Sequence, residues 1–267
     1  MRAVENFISE QTGKIIAVAF HDLETGTEHC IRADEPFHAA STMKVAVMAE
    51  VFRQAQQGKF SLDDRIPVIN SFPSLADGSP FSNFVEDDSE ASLYEKVGET
   101  ESLRELTRLM IVWSSNLATN ILIQVVGAGN VRAFLDKLGV RGLLVLRGPE
   151  NNAAFRSGLN NTATARGLMQ LLLAITEGRV VSKEASEEMI QIMLGQELKD
   201  GVAPGVPEYV KVASKSGWTG DWNHDAGIVF PPNRKPYVLA IMTKGYPDEP
   251  SARESMKTIS NIIYRNL

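Results

Sequence analysis

One cysteine, Cys30, in 267 residues excludes an internal disulfide. It reads as a packing residue in a strand. No apolar run approaches the roughly 20 residues that cross a bilayer, so no membrane span is expected. Basic charge is also scarce. With 27 Lys and Arg against 33 Asp and Glu, the formal net charge is −6. Phosphate neutralisation needs a basic patch, so no nucleic-acid partner is expected. His21, His29, His38 and His224 show no paired ligand spacing of the H-E-x-x-H kind, and no metal is expected. Each reads as a packing or surface histidine, with only His224 near a motif. The opening MRAVENFISEQTG lacks a continuous apolar core and a small-residue cleavage site. The expectation is therefore a cytosolic protein or one whose leader has been removed. What is present is a globular composition, 43% hydrophobic and 22% charged. That suffices for one large domain or two lobes sharing an interface.

Residues 3–12 carry Val4, Phe7 and Ile8 on one side of a helical pattern. KIIAVAFHDL (14–23) and TEHCIRA (27–33) then read as a β-hairpin turned at Gly26. From Ser41 to about Leu194 the signals are helical. SLRELTRLMIVW (102–113), NLATNILIQVV (116–126), VRAFLDKLG (131–139) and TATARGLMQLLLAITEG (162–178) space their apolar residues accordingly. Gly139 and Gly178 stand at helix C-terminal positions. After Pro204, VKVASKSG (210–217), DAGIVF (225–230) and YVLAIMTKG (237–245) read as strands, with a turn at Pro231-Pro232-Asn233. ESMKTISNIIYRN (254–266) closes the chain as an amphipathic helix. The fold class that follows is α+β. An antiparallel sheet built from both chain ends, with flanking terminal helices, accommodates an inserted all-helical segment. The lobes are expected at 1–38 with 205–267, and at 39–204, with a binding cleft between them.

Ala39 to Phe52 reads as a helix start with Ser41 at its opening. Ser41 and Lys44, three positions apart, share a face, which puts an amine near a hydroxyl. A neutral lysine can take a serine proton, and helix N–H groups suit a developing oxyanion. An N-cap serine followed by a surface lysine fits the same spacing. Ser114-Ser115-Asn116 stands at a junction of two helical patterns. There a serine can relay a proton to a leaving nitrogen and an asparagine can bond a substrate amide, although such a tripeptide is also a common helix cap. Lys215-Ser216-Gly217 lies late in a strand and precedes Trp218. A cation, a hydroxyl and a glycine at a strand edge admit a substrate backbone closely. A second lysine would also depress the pKa of a neighbouring one. A strand-end turn with a solvated lysine is the plainer alternative.

In chain order these are S-x-x-K, S-x-N and K-[ST]-G, and with them the chain resembles class A β-lactamases and penicillin-binding proteins. The likeness covers nearly the whole length, because the strand–helix–strand order also matches. It implies a β-lactamase/transpeptidase-like fold and a serine hydrolase without a cofactor. The expected partner is a small β-lactam or D-Ala-D-Ala-like substrate, and the expected state is a monomer. In that family's scheme Ser41 would be acylated, Lys44 would help to activate it, and Ser114 would shuttle the proton. Asn116 would position the substrate. Lys215 and Ser216 would hold its acidic end, and the N–H groups of Ser41 and Trp218 would form the oxyanion hole. The family works outside the cytoplasm, which implies a periplasmic or secreted protein.

Three departures qualify the resemblance. The family's deacylating glutamate lies in a segment reading roughly R-x-E-P-x-x-N. Here Arg147-Gly148-Pro149-Glu150-Asn151-Asn152 puts Glu150 after the proline and Gly148 at the usual base position. Glu150 is expected to be re-aimed as the base; the alternative is a solvated carboxylate paired with Arg147 or Arg156. The strand after K-[ST]-G has no arginine for a substrate carboxylate, and Trp218 and Trp222 bracket the connection instead. Residues 71–101 lengthen the stretch before Ser114 and carry Glu86, Asp87, Asp88 and Glu90. They read as a solvated loop or as a rim over the active site. Two other functions share the scaffold: a D-alanyl-D-alanine peptidase or esterase that releases penicillin slowly, and a non-catalytic lactam sensor.

Overall fold

The computed structural model describes residues 2–267. Helix α1 (Arg2–Glu10) leads into strand β1 (Ile15–Asp22) and its hairpin partner β2 (Glu28–Ile31). Strand β3 (Phe37–His38) and a 3₁₀ turn (Ala40–Met43) precede helix α2 (Lys44–Gln56). Short strands β4 (Arg65–Pro67), β5 (Phe72–Pro73) and β6 (Pro80–Phe81), helix α3 (Ser92–Glu95) and strand β7 (Thr100–Ser102) follow. Helices α4 (Leu103–Val112), α5 (Asn116–Val126) and α6 (Ala128–Leu138) come next. Strand β8 (Leu143–Leu144), helix α7 (Asn152–Arg156) and strand β9 (Thr162–Ala163) lead to α8 (Ala165–Thr176) and α9 (Lys183–Leu194). Strands β10 (Lys211–Thr219), β11 (Trp222–Phe230) and β12 (Tyr237–Lys244) and helix α10 (Glu249–Arg265) complete the chain.

The main sheet has the order β10-β11-β12-β1-β2 and is antiparallel throughout, so both chain ends build it. Its central strands are apolar on both faces. Successive side chains point to opposite faces, and Ile16, Val18 and Phe20 of β1 join Leu239 and Ile241 of β12 on the outer one. There they meet Val4 of α1 and Met256, Ile259 and Ile263 of α10. On the inner face Ala17, Ala19, Ala226 and Ala240 leave a shallow surface for the helices of the central segment, α8 foremost. This is an α+β fold with a sheet covered on both sides.

Helix starts follow local capping chemistry. Ser102, Ser115, Thr164, Ser182 and Asp248 each accept a bond from the backbone N–H three residues on, satisfying donors that the helices α4, α5, α8, α9 and α10 leave open. Gly139 ends α6 in the left-handed conformation, as its position suggested. Some expectations need correction. Helix α6 starts at Ala128, three residues early, β11 starts at Trp222, and α9 carries a cap and an apolar face of its own. Cys30 lies in a strand, but β2 is an edge strand and the thiol is exposed, not packed. No described helix is long and apolar enough to cross a membrane.

Helix α8 is the main cover of the inner face, and Leu172 within it is 1% exposed. Leu172→Ala is expected to destabilise the protein by about 2–5 kcal/mol. In a thermal melt the midpoint should drop by about 5–15 °C. A midpoint within a degree of the parent would show that α8 is not what holds this face.

Candidate active site

Strand β3 brings the chain to the turn that carries Ser41. The Ala39 N–H donates to Asn161 O at 3.0 Å, and the Ala40 N–H to His38 Nδ1 at 3.1 Å. Ala40 has φ of 46°, a left-handed value that is uncommon for a residue with a Cβ. His224 Nε2 lies 2.9 Å from the carbonyl of His38, and the Thr243 N–H donates to His224 Nδ1. With Nδ1 accepting, Nε2 carries the proton, and His224 braces the turn from the sheet. Burial lowers the His224 pKa to about 4, which keeps it neutral for that role. Sequence reasoning treated both histidines as packing or surface residues. The signal it passed over was a side-chain acceptor two residues before Ala40, in the geometry of an Asx-turn.

Ser41 sits inside the 3₁₀ turn and Lys44 begins α2, so the helix opens three residues later than the spacing suggested. Lys44 is not a surface lysine: it is 0% exposed. Its Nζ donates to Ser114 O at 2.7 Å, to Asn116 Oδ1 at 2.8 Å and to Ser114 Oγ at 3.1 Å. Burial drives its pKa well below the usual lysine range, and the Lys215 charge lowers it further, against the pull of Asp88 and Glu150. These three bonds run to Ser114 and Asn116 and none to Ser41.

Ser114 lies between α4 and α5 with φ of 60°. Asn116, the first residue of α5, joins two charges. Its Oδ1 accepts from Lys44, and its Nδ2 donates to Glu150 Oε1 at 2.6 Å. Glu150 is therefore re-aimed into the site, and Arg147 is not its partner. The Arg147 guanidinium donates instead to Leu159 O, Gly148 O and Asn160 Oδ1. Burial raises the Glu150 pKa, opposed by bonds from the Asn116 amide and the Phe84 N–H. Gly148, at the position aligned with the family's glutamate, has no room for a side chain. A Cβ there would stand 1.7 Å from Asn120 Oδ1. Asn120 also donates to Pro149 O at 3.1 Å, so the amide that excludes a side chain at 148 also ties the loop carrying Glu150.

Lys215 and Ser216 are both 0% exposed, behind the wall of the cleft. Lys215 Nζ donates to the Ser216 carbonyl, and Ser216 Oγ donates to Leu198 O. Neither is a solvated strand-end residue. Burial lowers the Lys215 pKa to about 8, opposed by Asp225 and Asp200. Gly217 brings β10 against the Ser41 turn: a Cβ at this position would lie 2.5 Å from Ser41 N. Trp218 stands half-exposed at the mouth. The cleft has a volume of about 450 Å³ and gathers Ser41, Lys44, Asn116, Glu150, Phe155 and Trp218 along its walls.

The acidic segment is not simply solvated. It forms the β5–β6 hairpin and the short α3, and Glu90 is buried, accepting from the Ser92 and Leu93 N–H groups. Asp87 lines the cleft, and Asp88 accepts bonds at the start of α5.

The family model described as the Beta-lactamase enzyme family matches residues 1–267. The chain belongs to the β-lactamase enzyme family. Among curated relatives, a β-lactamase of Bacillus amyloliquefaciens is 31% identical over 234 residues, 84% of this chain and 70% of that protein. Beta-lactamase CTX-M-97 of Escherichia coli is 25% identical over 262 residues, 96% of this chain and 85% of the relative. Among solved structures, the acyl-enzyme complex of a PBP-A mutant with penicillin-G is 26% identical. It covers 99% of this chain and 94% of its own, with a TM-score of 0.84. As a β-lactamase-family hydrolase the chain has the expected fold.

The contact at Gly217 gives a direct test. A methyl group there meets backbone atoms, which cannot swing away, so Gly217→Ala must move the strand from the turn. Misplacement by about 1 Å can cost on the order of 100-fold in rate. The expected result is a folded variant that consumes a penicillin at least about tenfold more slowly than the parent. Consumption at the parent rate would show that the approach is not required.

Proposed function

We propose that the protein hydrolyses β-lactams through an acyl-enzyme on Ser41, in the cleft between the sheet lobe (1–38 and 205–267) and the helical lobe (39–204). The observation that carries this reading is the Asn116 amide, which joins Lys44 to Glu150 on the walls of the cleft that holds Ser41. In acylation, neutral Lys44 takes the Ser41 proton, and Ser41 Oγ bonds to the lactam carbonyl carbon. The N–H groups of Ser41 and Trp218 hold the oxyanion. As the carbon–nitrogen bond breaks, Ser114 gives its proton to the leaving nitrogen and recovers one from Lys44. In deacylation, Glu150 takes a proton from water, hydroxide attacks the ester, and Ser41 is released with its proton restored. Lys215 supplies positive charge that keeps Lys44 deprotonated and favours a substrate carboxylate nearby.

A second reading draws support from Glu150 standing two residues from the aligned position and from the likeness to PBP-A, which penicillin-G acylates in the solved complex. In it, Ser41 is acylated but released slowly, as in a D-Ala-D-Ala peptidase, an esterase or a sensor.

Intact-mass measurement after adding a penicillin separates the readings. The parent should show little adduct while the ring opens, Ser41→Ala none, and Glu150→Gln a persistent one. A persistent adduct on the parent supports the second reading, and turnover by Glu150→Gln near the parent rate would remove Glu150 as the base. The pH dependence has a defined sign. Burial raises the Glu150 pKa, and only its ionised form can take a proton. Deacylation should therefore fall on the acid side at a pH above that of an ordinary glutamate, and Glu150→Gln should abolish that limb.

A further inference from the structure

Helix α5 begins with N–H groups that its own turns cannot satisfy, those of Asn116 and Leu117 first among them. Asp88, 28 residues earlier in the chain, satisfies both: its Oδ2 accepts from Asn116 N at 2.8 Å and from Leu117 N at 2.9 Å. The same oxygen accepts from Ser115 Oγ at 3.3 Å and Tyr94 OH at 3.0 Å, while Oδ1 accepts from Glu90 N at 3.2 Å. The local cap, Ser115, serves the next N–H, that of Ala118. A carboxylate from the acidic segment thus completes the start of the helix whose first side chain joins Lys44 and Glu150.

We propose that Asp88 is a positioning residue of the active site, anchoring the start of α5 so that Asn116 stays between Lys44 and Glu150. This rests on the mechanism proposed above. Phosphate-like or solvent roles do not explain an aspartate whose bonds all run inward to backbone and side-chain donors. Its charge acts on the same pair. It favours the protonated forms of both Lys44 and Glu150, while the other titratable groups around it are Tyr94 and Glu90. The acidic segment therefore holds the machinery from behind as well as edging the cleft at Asp87.

The test compares Asp88→Ala, Asp88→Asn and the double variant Asp88→Ala with Ser115→Asp, following acylation and deacylation of a chromogenic cephalosporin across pH. Asp88→Ala should slow both steps by about tenfold or more, on the scale that small misplacements produce. Asp88→Asn keeps an acceptor oxygen but loses the charge, so its acid limb should move to lower pH, because Glu150 no longer feels a neighbouring anion. The double variant returns a carboxylate to the helix's own N-cap position, where aspartate is as good a cap as serine, and should recover most of the loss. Folded Asp88→Ala with rates within twofold of the parent overturns the proposal. If Asp88→Ala does not fold, Asp88→Glu decides: the added methylene shifts the carboxylate that anchors α5, so both steps should slow severalfold, and rates within twofold of the parent overturn the proposal. Ser41→Ala is run beside them, and persistent turnover in that variant would refute the acyl-enzyme mechanism itself, a separate failure.

Discussion

The site depends on a fully buried lysine whose hydrogen-bond partners are all uncharged. Lys44 donates to a backbone carbonyl, an amide oxygen and a hydroxyl, and Lys215 adds a second buried cation nearby. Removing an ammonium group from water disfavours its charged form, and a like charge disfavours it further. Burial and the neighbouring cation therefore bias this amine toward its neutral form. Everything around it either seals that pocket or keeps the opposing charge at a distance. Glu150 is the clearest case: it reaches Lys44 through the Asn116 amide. A direct ion pair would lock the proton on the lysine.

Holding that arrangement requires backbone that a random chain avoids. Among the described residues, Ala40, Ser114 and Glu150 are three of the five other than glycine with positive φ; Ala40 and Glu150 line the cleft, and Ser114 bonds to Lys44, which lines it too. Such conformations cost about 1–3 kcal/mol each and persist only where neighbours over-determine them. The neighbours are identifiable here. His38 Nδ1 receives the Ala40 N–H, the carbonyl and hydroxyl of Ser114 receive Lys44, and Asn116 and the Phe84 N–H hold the Glu150 carboxylate. The same bonds that bear the strain position the reacting groups, so loosening one is expected to be felt in both.

What could be read from the sequence follows from which interactions are local. Helices α4, α5 and α8 announce themselves by apolar spacing and by caps three residues from their partners. The β1–β2 and β11–β12 hairpins do so by their turns. Two-residue strands such as β3 and β9 have no period to detect, although they carry the chain into and out of the site. The role of Asp88 is set by a partner 28 residues away, and nothing in Glu86-Asp87-Asp88 distinguishes a cap from a solvated charge run. Cys30 was misplaced for a related reason: period-two patterning does not say that a strand lies at an edge. Motif order carried the family likeness because it depends on residue types and not on these contacts.

The loop around Glu150 shows how a carboxylate can enter the cleft from beyond the proline. At Gly148 the space for a side chain is filled by Asn120, so a glutamate at the aligned position would demand a different core beneath the loop. Two residues on, a left-handed turn at Glu150 swings its carboxylate toward Asn116. Ser74 and Ala154 both donate to Asn151 Oδ1, which fixes the chain just after that turn. Ser74 lies in the same 71–101 stretch as Asp88. Residues 71–101 thus support both the loop that carries Glu150 and the start of the Asn116 helix.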